Sequence, residues 1–262
     1  MMKQSTESVL GYDITTKTCG DCVAEILGWL DGNGHGRYLA CANPHSLEVA
    51  REDALFETTL KSADMLVPDG IGIVLASRIN SGGIHQRVTG SDIFHEVNAA
   101  LDRRGNASVF FLGSTSATLD RIRDRMAQDY PAVRVVGTYA PPFRQDFSDA
   151  EVAEMLEAIN AARPDVLWVG MTAPKQEKWI YQNRNKLNVR FTAAIGAVFD
   201  FYTGNVKRSH PLFQEFGLEW LPRLLREPMR LWRRNFVSNP LFLARVIAGR
   251  VRQDPKQASR SE

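Results

Sequence analysis

Short apolar runs alternate along most of this chain with longer segments whose apolar residues recur every three or four positions. Short runs of this kind are typical of buried strands, and the longer periodic segments are typical of amphipathic helices. Predicted strands cover residues 8–14, 37–44, 65–69, 107–114, 133–137, 165–170 and 195–201, and predicted helices cover residues 18–30, 46–62, 93–103, 118–130 and 149–162. Strands that alternate with helices in this way indicate a mostly parallel sheet covered on both faces. The predicted fold class is therefore α/β, with a Rossmann-like sheet.

Polar residues stand where two neighbouring predicted strands end. Asn43 follows the strand 37–44, and Asp69 follows the apolar run from Met65 to Pro68. Open α/β sheets bind ligands at the carboxyl ends of their strands, so Asp69 is a candidate general base and Asn43 a candidate neighbour. Two simpler interpretations stay open, because Asp followed by Gly is common in turns and Asn is common at helix starts.

A basic residue precedes the predicted helix 93–103. Ser91 or Asp92 is the expected N-cap of this helix, and that role explains both residues. Arg87 has no capping role. Its position favours an anion near the start of the helix.

Another helix begins with proline at Pro174, and Gln176 and Glu177 fall in its first turn. The unbonded N–H groups of such a turn favour an anion or a polar ligand group. The helix dipole would account for Glu177 alone, but two adjacent polar side chains exceed what capping requires. Asp200, in the predicted last strand, adds a second carboxylate near the same edge.

Composition limits the class of protein. The chain has 262 residues, of which 44% are hydrophobic and 24% charged, as expected for an ordinary globular protein. Its start is too polar for a signal peptide, and no run of 18 apolar residues occurs. Cys19 and Cys22 form a C-x-x-C on a predicted helix with no second pair, which disfavours a redox or zinc site.

Charge is distributed unevenly along the chain. Residues 201–262 hold twelve Lys and Arg against five Asp and Glu, a net charge of +7. The whole chain carries +2, so the first 200 residues carry −5. The two parts therefore have different expected partners.

The basic part mixes arginines with large apolar residues between Glu219 and Arg234, and apolar residues continue to Ile247. Short helices of this composition suit an anionic membrane surface. The alternatives are a solvated basic face on a helix packed against the domain and, more weakly, nucleic acid, for which no binding fold is recognisable. The predicted domains are 1–205, an α/β domain, 206–252, a basic membrane-associating helical appendage, and 253–262, a disordered tail.

Two common cofactor and metal signatures are missing from the sequence. Gly113-Ser114 resembles a nucleotide-binding turn only faintly, and no G-x-G-x-x-G occurs, which argues against a dinucleotide. No D-x-D and no cluster with metal-ligand spacing occurs either.

Several motifs together carry a family resemblance. They are Ala-Asn-Pro at 42–44, Pro-Asp-Gly-Ile-Gly at 68–72, Arg-Val-Thr-Gly-Ser-Asp at 87–92, Pro-Lys-Gln-Glu at 174–177, Phe-Asp-Phe at 199–201, Gly-Leu-Glu-Trp-Leu-Pro-Arg at 217–223 and Glu-Pro-Met-Arg at 227–230. From about residue 38 to 237 the chain resembles the WecG/TagA/CpsF glycosyltransferases. Enzymes of that family move a hexose or N-acetylhexosamine from a UDP-sugar to a polyprenyl-diphosphate-linked sugar during synthesis of teichoic acid linkers, enterobacterial antigen or exopolysaccharide.

The resemblance implies roles for individual residues. Asp69 would be the catalytic base, with Asn43 and Arg87 lining the same pocket. Gln176 would contact the donor, and Glu177 beside it is a further candidate for substrate binding. The residues expected by the uracil are Tyr139 and Asp200. Cys41 is a further candidate for substrate binding. It departs from the pattern, because the family usually carries Thr there, and a thiol is a weaker hydrogen-bonding group than a hydroxyl.

The resulting prediction is an inverting, metal-independent transferase without a cofactor, cytoplasmic and attached peripherally to the inner membrane. Its expected partners are the UDP-sugar, the lipid-linked acceptor and an anionic membrane surface, but not nucleic acid; a homo-oligomer is compatible with this. Arg223 and Arg230, two helical turns apart, are the predicted contacts of the diphosphate. N-acetylmannosamine and glucose are the leading sugars. The rival hypotheses are a nucleotide-dependent oxidoreductase and a non-enzymatic membrane scaffold.

Overall fold

The computed structural model describes residues 5–206 and 233–253. Its centre is a six-stranded parallel sheet, which confirms the predicted α/β class. The strands are β3 (Arg37–Ala42), β4 (Met65–Pro68), β5 (Ser108–Gly113), β6 (Arg134–Tyr139), β7 (Val166–Gly170) and β8 (Phe191–Ala194), and their spatial order is β4-β3-β8-β7-β5-β6.

Ten α-helices are described besides the π-helical segment Arg233–Ser238. They are α1 (Cys19–Asp31), α2 (Pro44–Ala50), α3 (Ala54–Lys61), α4 (Ile71–Ile79), α5 (Gly90–Arg104), α6 (Ser116–Asp129), α7 (Asp149–Ala162), α8 (Lys175–Asn183), α9 (Val198–Tyr202) and α10 (Asn239–Gln253). Apolar side chains of α2, α3, α4, α7, α8 and α10 form one buried cluster with the sheet, and those of α1, α5, α6 and α9 form the other. Neighbouring strand residues join opposite clusters, as Tyr38 and Leu39 do, because side chains alternate across a sheet.

The predicted strand 8–14 is wrong, because these residues belong to an antiparallel hairpin of β1 (Thr6–Val9) and β2 (Tyr12–Thr15). Leu10 and Gly11 form the turn with φ of 50° and 84°. A pair of residues with positive φ matches the twist of a tight hairpin, but Leu rarely adopts that conformation and gave no turn signal. The hairpin packs beside β4 and covers this edge of the large sheet.

The single helix predicted over residues 46–62 is also wrong, since the chain forms α2 and α3 there. Asp53 separates them, because its carboxylate accepts a hydrogen bond from the Phe56 N–H at 3.0 Å and caps the second helix. Aspartate is among the strongest N-cap residues, so a new start at Asp53 replaces one long helix with two short ones.

The predicted last strand, 195–201, is wrong as well. The strand that completes the sheet is β8, which pairs with β3 and β7, and residues Val198–Tyr202 form α9. Gly196 has φ of 55° and ends the extended segment. A short apolar run fits a buried strand or a buried helix equally well, and the tertiary packing decided for the helix. Asp200 therefore lies in the first turn of a helix that starts beyond β8.

The C-terminal helix α10 packs against α2 and α4. Phe242 and Val246 are buried in the core cluster of that face, and Arg245 forms an ion pair of 2.9 Å with Glu48. In the preceding segment, the Ser238 hydroxyl lies 2.9 Å from His45 Nδ1. These contacts fasten the described part of the C-terminal segment to the α/β domain. Within the described residues, no helix is long and apolar enough to cross a membrane.

Candidate active site

The structure brings Asn43 and Asp69 to the carboxyl ends of two adjacent parallel strands, as predicted. The backbone N–H of Asp69 donates to the Ala42 carbonyl at 2.8 Å, which ties the two strand ends together. Gly70, at φ of 117°, turns the chain out of the sheet, and a Cβ at this position would lie 3.7 Å from Asn43 Cβ. This close approach places Asp69 beside Asn43 in a turn that favours glycine at position 70.

Asn43 is also the N-cap of α2, as the simpler interpretation of this residue predicted. Capping uses the oxygen of its side chain. The side-chain Oδ1 of Asn43 accepts a hydrogen bond from the backbone N–H of Ser46 at 3.0 Å. The backbone N–H of Asn43 donates to Ser46 Oγ at 2.9 Å. This capping box fixes the Asn43 amide and leaves its nitrogen as the group that can donate to a ligand. Capping and ligand binding are therefore compatible at this residue.

Arg87 reaches the same edge through the loop that precedes α5. The next residue, Val88, donates its N–H to the Pro68 carbonyl at 2.9 Å, directly before Asp69. Thr89 then caps α5 in a capping box with Asp92, so the prediction of Ser91 or Asp92 as N-cap is wrong. The cause is a residue-type ambiguity, since Thr, Ser and Asp all cap helices and three of them stand in a row of four.

A carboxylate of the N-terminal hairpin holds the other end of this loop. Glu7 Oε2 accepts hydrogen bonds from the Gly83 N–H at 2.8 Å, the Ile84 N–H at 3.2 Å and the Ser77 hydroxyl at 2.7 Å. A Cβ on Gly82 would lie 2.0 Å from Glu7 Oε1, so a larger residue at position 82 would displace the Glu7 carboxylate from this position. The N-terminal hairpin thus fixes the segment that leads to Arg87, a role that no local pattern around Glu7 indicated.

Cys41 lies on β3 among the acidic residues of the edge. Its thiol is half-buried, with Sγ 3.8 Å from the Ala194 carbonyl oxygen. Burial raises the pKa of the Cys41 thiol well above its usual value, and the nearby charges of Asp69 and Glu177 raise it further. Cys41 is therefore a neutral thiol. Because the charges of Asp69 and Glu177 both act on it, these two carboxyl groups lie in one region.

Gln176 joins the ends of β7 and β8. Its side-chain Oε1 accepts from the Met171 N–H at 3.2 Å and from the Gly196 N–H at 3.0 Å. Its Nε2 donates to Glu177 Oε1 at 2.8 Å. Both side chains are buried, each with 4% of its surface exposed, and burial raises the pKa of Glu177 to about 7. The prediction that Gln176 and Glu177 fall in the first turn of a helix is confirmed.

Gly113 and Ser114, whose likeness to a nucleotide-binding turn is faint, lie where β5 and β7 end side by side. The Ser114 N–H donates to the Gly170 carbonyl at 3.1 Å, and a Cβ on Gly113 would lie 2.4 Å from that carbonyl oxygen. The chain leaves β5 toward β6 and leaves β7 toward β8, in opposite directions across the sheet. Such a switch point is where open α/β sheets form a ligand-binding crevice. The sequence signal was two apolar runs that each end in glycine.

Tyr139 and Asp200 lie further along the carboxyl edge. Tyr139 is the last residue of β6, five strands away from β4, which is about 24 Å at the usual strand spacing. Its hydroxyl donates to Glu154 Oε2 at 3.0 Å. Asp200 is half-buried on α9, the helix that follows β8, and β8 lies between β4 and β6 in the sheet. Arg223 and Arg230 lie outside the described residues.

In residues 5–206 and 233–253, no group of three or more His, Cys, Asp or Glu side chains could hold a metal ion. Cys19 and Cys22 are free thiols on α1, and burial raises the pKa of Cys19 to about 11 and that of Cys22 to about 12. Neither is a reactive thiolate at neutral pH.

The parallel sheet, its switch point and the polar groups at its carboxyl edge place the chain in the class of doubly wound α/β proteins, which bind ligands at this edge. Comparison with known proteins narrows this class. The chain belongs to the glycosyl transferase WecG/TagA/CpsF family, whose model matches residues 7–256. It is a glycosyltransferase, and the resemblance inferred from its motifs is confirmed.

Its relatives include enzymes named N-acetylglucosaminyldiphosphoundecaprenol N-acetyl-beta-D-mannosaminyltransferase. The one from Bacillus spizizenii is 32% identical over 219 residues, which cover 84% of this chain and 81% of the relative. The one from Bacillus subtilis is 28% identical over 212 residues, covering 81% and 79%. The one from Staphylococcus aureus strain MW2 is 24% identical over 239 residues, covering 91% of both.

Proposed function

We propose that this protein is an inverting, metal-independent transferase that moves a hexose or N-acetylhexosamine from a UDP-sugar to a polyprenyl-diphosphate-linked saccharide during synthesis of a bacterial cell-surface polysaccharide. The observation that carries the proposal is the convergence of Asp69, Asn43, Arg87 and Gln176 on one sheet edge in a member of this family. The names of the relatives favour N-acetylmannosamine over glucose as the sugar, and a diphosphoundecaprenol-linked sugar as the acceptor.

In the proposed reaction, a hydroxyl oxygen of the acceptor attacks the anomeric carbon of the donor. A carbon–oxygen bond forms there while the bond to the diphosphate breaks, and UDP leaves with that electron pair. The hydroxyl proton passes to the Asp69 carboxylate, which acts as general base. Asn43, fixed by its capping box, would orient the reacting groups through its amide nitrogen.

The leaving diphosphate needs positive partners, and the proposal assigns this task to arginines and helix N–H groups. Arg87 stands at the edge beside Asp69, and the N-terminal turn of α8 faces the same region. Arg223 and Arg230 belong to the basic segment of residues 201–262 and would supply further charge. Tyr139 and Asp200 are assigned to the uracil end of the donor.

The same segment is proposed to hold the protein at an anionic membrane surface. Apolar side chains are exposed there, with Phe236 at 51%, Val237 at 45%, Leu241 at 42% and Ile247 at 51%. Phe242 and Val246 point the other way, into the domain. Exposed apolar residues on a basic helix suit the interface between lipid head groups and acyl chains, where the acceptor lipid resides.

The test begins with ligand binding. UDP should raise the thermal unfolding midpoint of the protein and NAD should not; a shift with NAD alone would support the oxidoreductase alternative. Transfer is then assayed with a panel of UDP-sugars and a lipid-linked N-acetylglucosamine acceptor. A protein that binds UDP but transfers no sugar to any polyprenyl-linked acceptor would contradict the proposed acceptor class.

A further inference from the structure

Glu177 occupies a position in α8 where a glutamate ordinarily caps its helix, but it cannot do so here. In a capping box, the acidic side chain at the third helical position accepts a hydrogen bond from the backbone N–H of the N-cap residue. The N-cap of α8 is Pro174, which has no N–H. The sequence thus places a carboxyl group at a capping position without the donor that capping needs, and the side chain needs another explanation.

The burial of Glu177 makes that explanation more pressing. Only 4% of the residue is exposed, and Oε2 has no hydrogen-bond partner among the residues that the structure describes. Its one side-chain partner is Gln176, whose Nε2 donates to Oε1 at 2.8 Å. A buried carboxyl oxygen without a hydrogen bond lowers the stability of the fold. A role in function would explain why the residue is nevertheless a glutamate.

Gln176 shows what this hydrogen bond achieves. Its Oε1 is held by two backbone N–H groups, those of Met171 and Gly196, and one of its two Nε2 hydrogens is directed at Glu177. The carboxamide plane is therefore fixed on both sides, and the direction of the second Nε2 hydrogen is fixed with it. Without Glu177, the amide nitrogen would keep its place but lose one of the contacts that set its orientation.

We propose that Glu177 is a positioning residue, which holds the Gln176 carboxamide so that its second N–H is presented to the bound UDP-sugar. The proposal rests on the proposed function, because it takes the ligand of Gln176 to be the nucleotide sugar. It moves Glu177 from direct substrate binding, as the sequence suggested, to a role exerted through its neighbour.

The protonation state of Glu177 fits this role. Burial raises the pKa of Glu177 from 4.5 to about 7, so the acid is largely neutral below pH 7. The neutral acid can still accept from Gln176 through Oε1 while Oε2 carries the proton, and it adds no negative charge beside a leaving diphosphate. We expect the neutral form to be the active one, so that activity falls as the pH rises through about 7.

Other charged groups nearby do not change the sign of this expectation. The acidic groups of this region are Asp69 and Asp92, whose charges, like that of Glu177, raise the pKa of the Cys41 thiol. The lysines of α8 are engaged elsewhere: Lys175 donates to the Arg144 carbonyl, and Lys178 pairs with Asp53. Burial is the largest cause of the raised pKa of Glu177.

The test compares Glu177→Ala with Glu177→Gln, because Gln is neutral and keeps an oxygen that can accept from Gln176. Glu177→Ala should lower kcat/KM for the UDP-sugar by roughly 10- to 100-fold, the usual cost of a strong buried hydrogen bond, with KM for the acceptor unchanged. Glu177→Gln should recover most of that loss and should abolish the decline in rate near pH 7. The matched control is Glu151→Ala, since Glu151 sits at the same position of α7 in an ordinary capping box and should affect stability only.

Two results would overturn the proposal. One is an equal loss of activity in the Ala and Gln variants, each checked as folded by its thermal unfolding midpoint. The other is a decline near pH 7 that persists in Glu177→Gln. Wild-type protein that neither binds UDP nor transfers sugar would instead overturn the proposed function itself.

Discussion

The carboxyl edge of the sheet and the C-terminal helix present opposite kinds of surface. At the edge, polar side chains are held by backbone groups: Asn43 by the start of α2, and Gln176 by the loops after β7 and β8. On α10, Phe242 and Val246 anchor the helix while Leu241 and Ile247 remain exposed. Chemistry requires groups fixed to within fractions of an ångström, whereas a fluid lipid surface requires exposed apolar area. Under the proposed function, the edge would bind the sugars and α10 would face the lipid that carries the acceptor.

Removal of the candidate base should have the largest effect, and it tests the edge alone. Asp69→Asn should lower turnover by roughly 10² to 10⁴, the usual contribution of a general base, with little change in UDP affinity. Turnover is measured with saturating donor, and UDP affinity by calorimetry. Asp120→Asn, at an exposed position of α6, is the control. Turnover like that of the wild type would remove Asp69 from the mechanism.

The next prediction separates the buried side of α10 from its exposed side. Phe242→Ala should lower the free energy of unfolding by about 3–5 kcal/mol, as expected for a buried Phe. Leu241→Ala, on the adjacent exposed residue, should change stability by less than about 0.5 kcal/mol and weaken liposome binding instead. Denaturant unfolding and liposome sedimentation measure the two effects. Equal effects of both variants on stability would mean that the two sides of α10 are not distinct.

A third prediction asks whether the basic segment also takes part in chemistry. Arg223→Ala and Arg230→Ala should each lower the rate on a short, water-soluble acceptor by roughly 10- to 150-fold, the cost of one charge-assisted contact to the leaving diphosphate. Arg250→Ala, on the exposed side of α10, is the control. Liposome binding is measured in parallel. If the first two variants lose liposome binding only, the segment is an anchor. Arg87 then becomes the candidate for stabilising the leaving diphosphate.

The smallest expected effect is that of a chelator. EDTA should leave the rate unchanged, because the proposal assigns the neutralisation of the diphosphate to arginines and helix N–H groups. The assay compares EDTA-treated protein with and without added Mg²⁺ or Mn²⁺. A rate that returns only with a divalent cation would show that the leaving group is stabilised by metal, and the arginines would lose that role.

Local patterns predicted much of this molecule. Apolar runs separated by amphipathic segments indicated the parallel sheet, and the residues that stop two of those runs, Asn43 and Asp69, do meet at one edge. The errors occurred where two structures fit one local pattern. Leu10 adopts a turn conformation that is rare for leucine, Asp53 starts a second helix, and residues 198–202 form a helix rather than a strand.

Signals within a few neighbouring positions set many of the strand ends and helix starts, including those at Asn43 and Asp69. Strand order depends instead on packing between distant parts of the chain, which places β8 between β3 and β7 and thereby brings Gln176 to the region of Asp69. The same packing also decided the state of Glu177: at a helix start an exposed glutamate is an ordinary charged residue, and burial is what raises its pKa to about 7. Burial depends on elements far apart in the chain, so no local pattern encodes it.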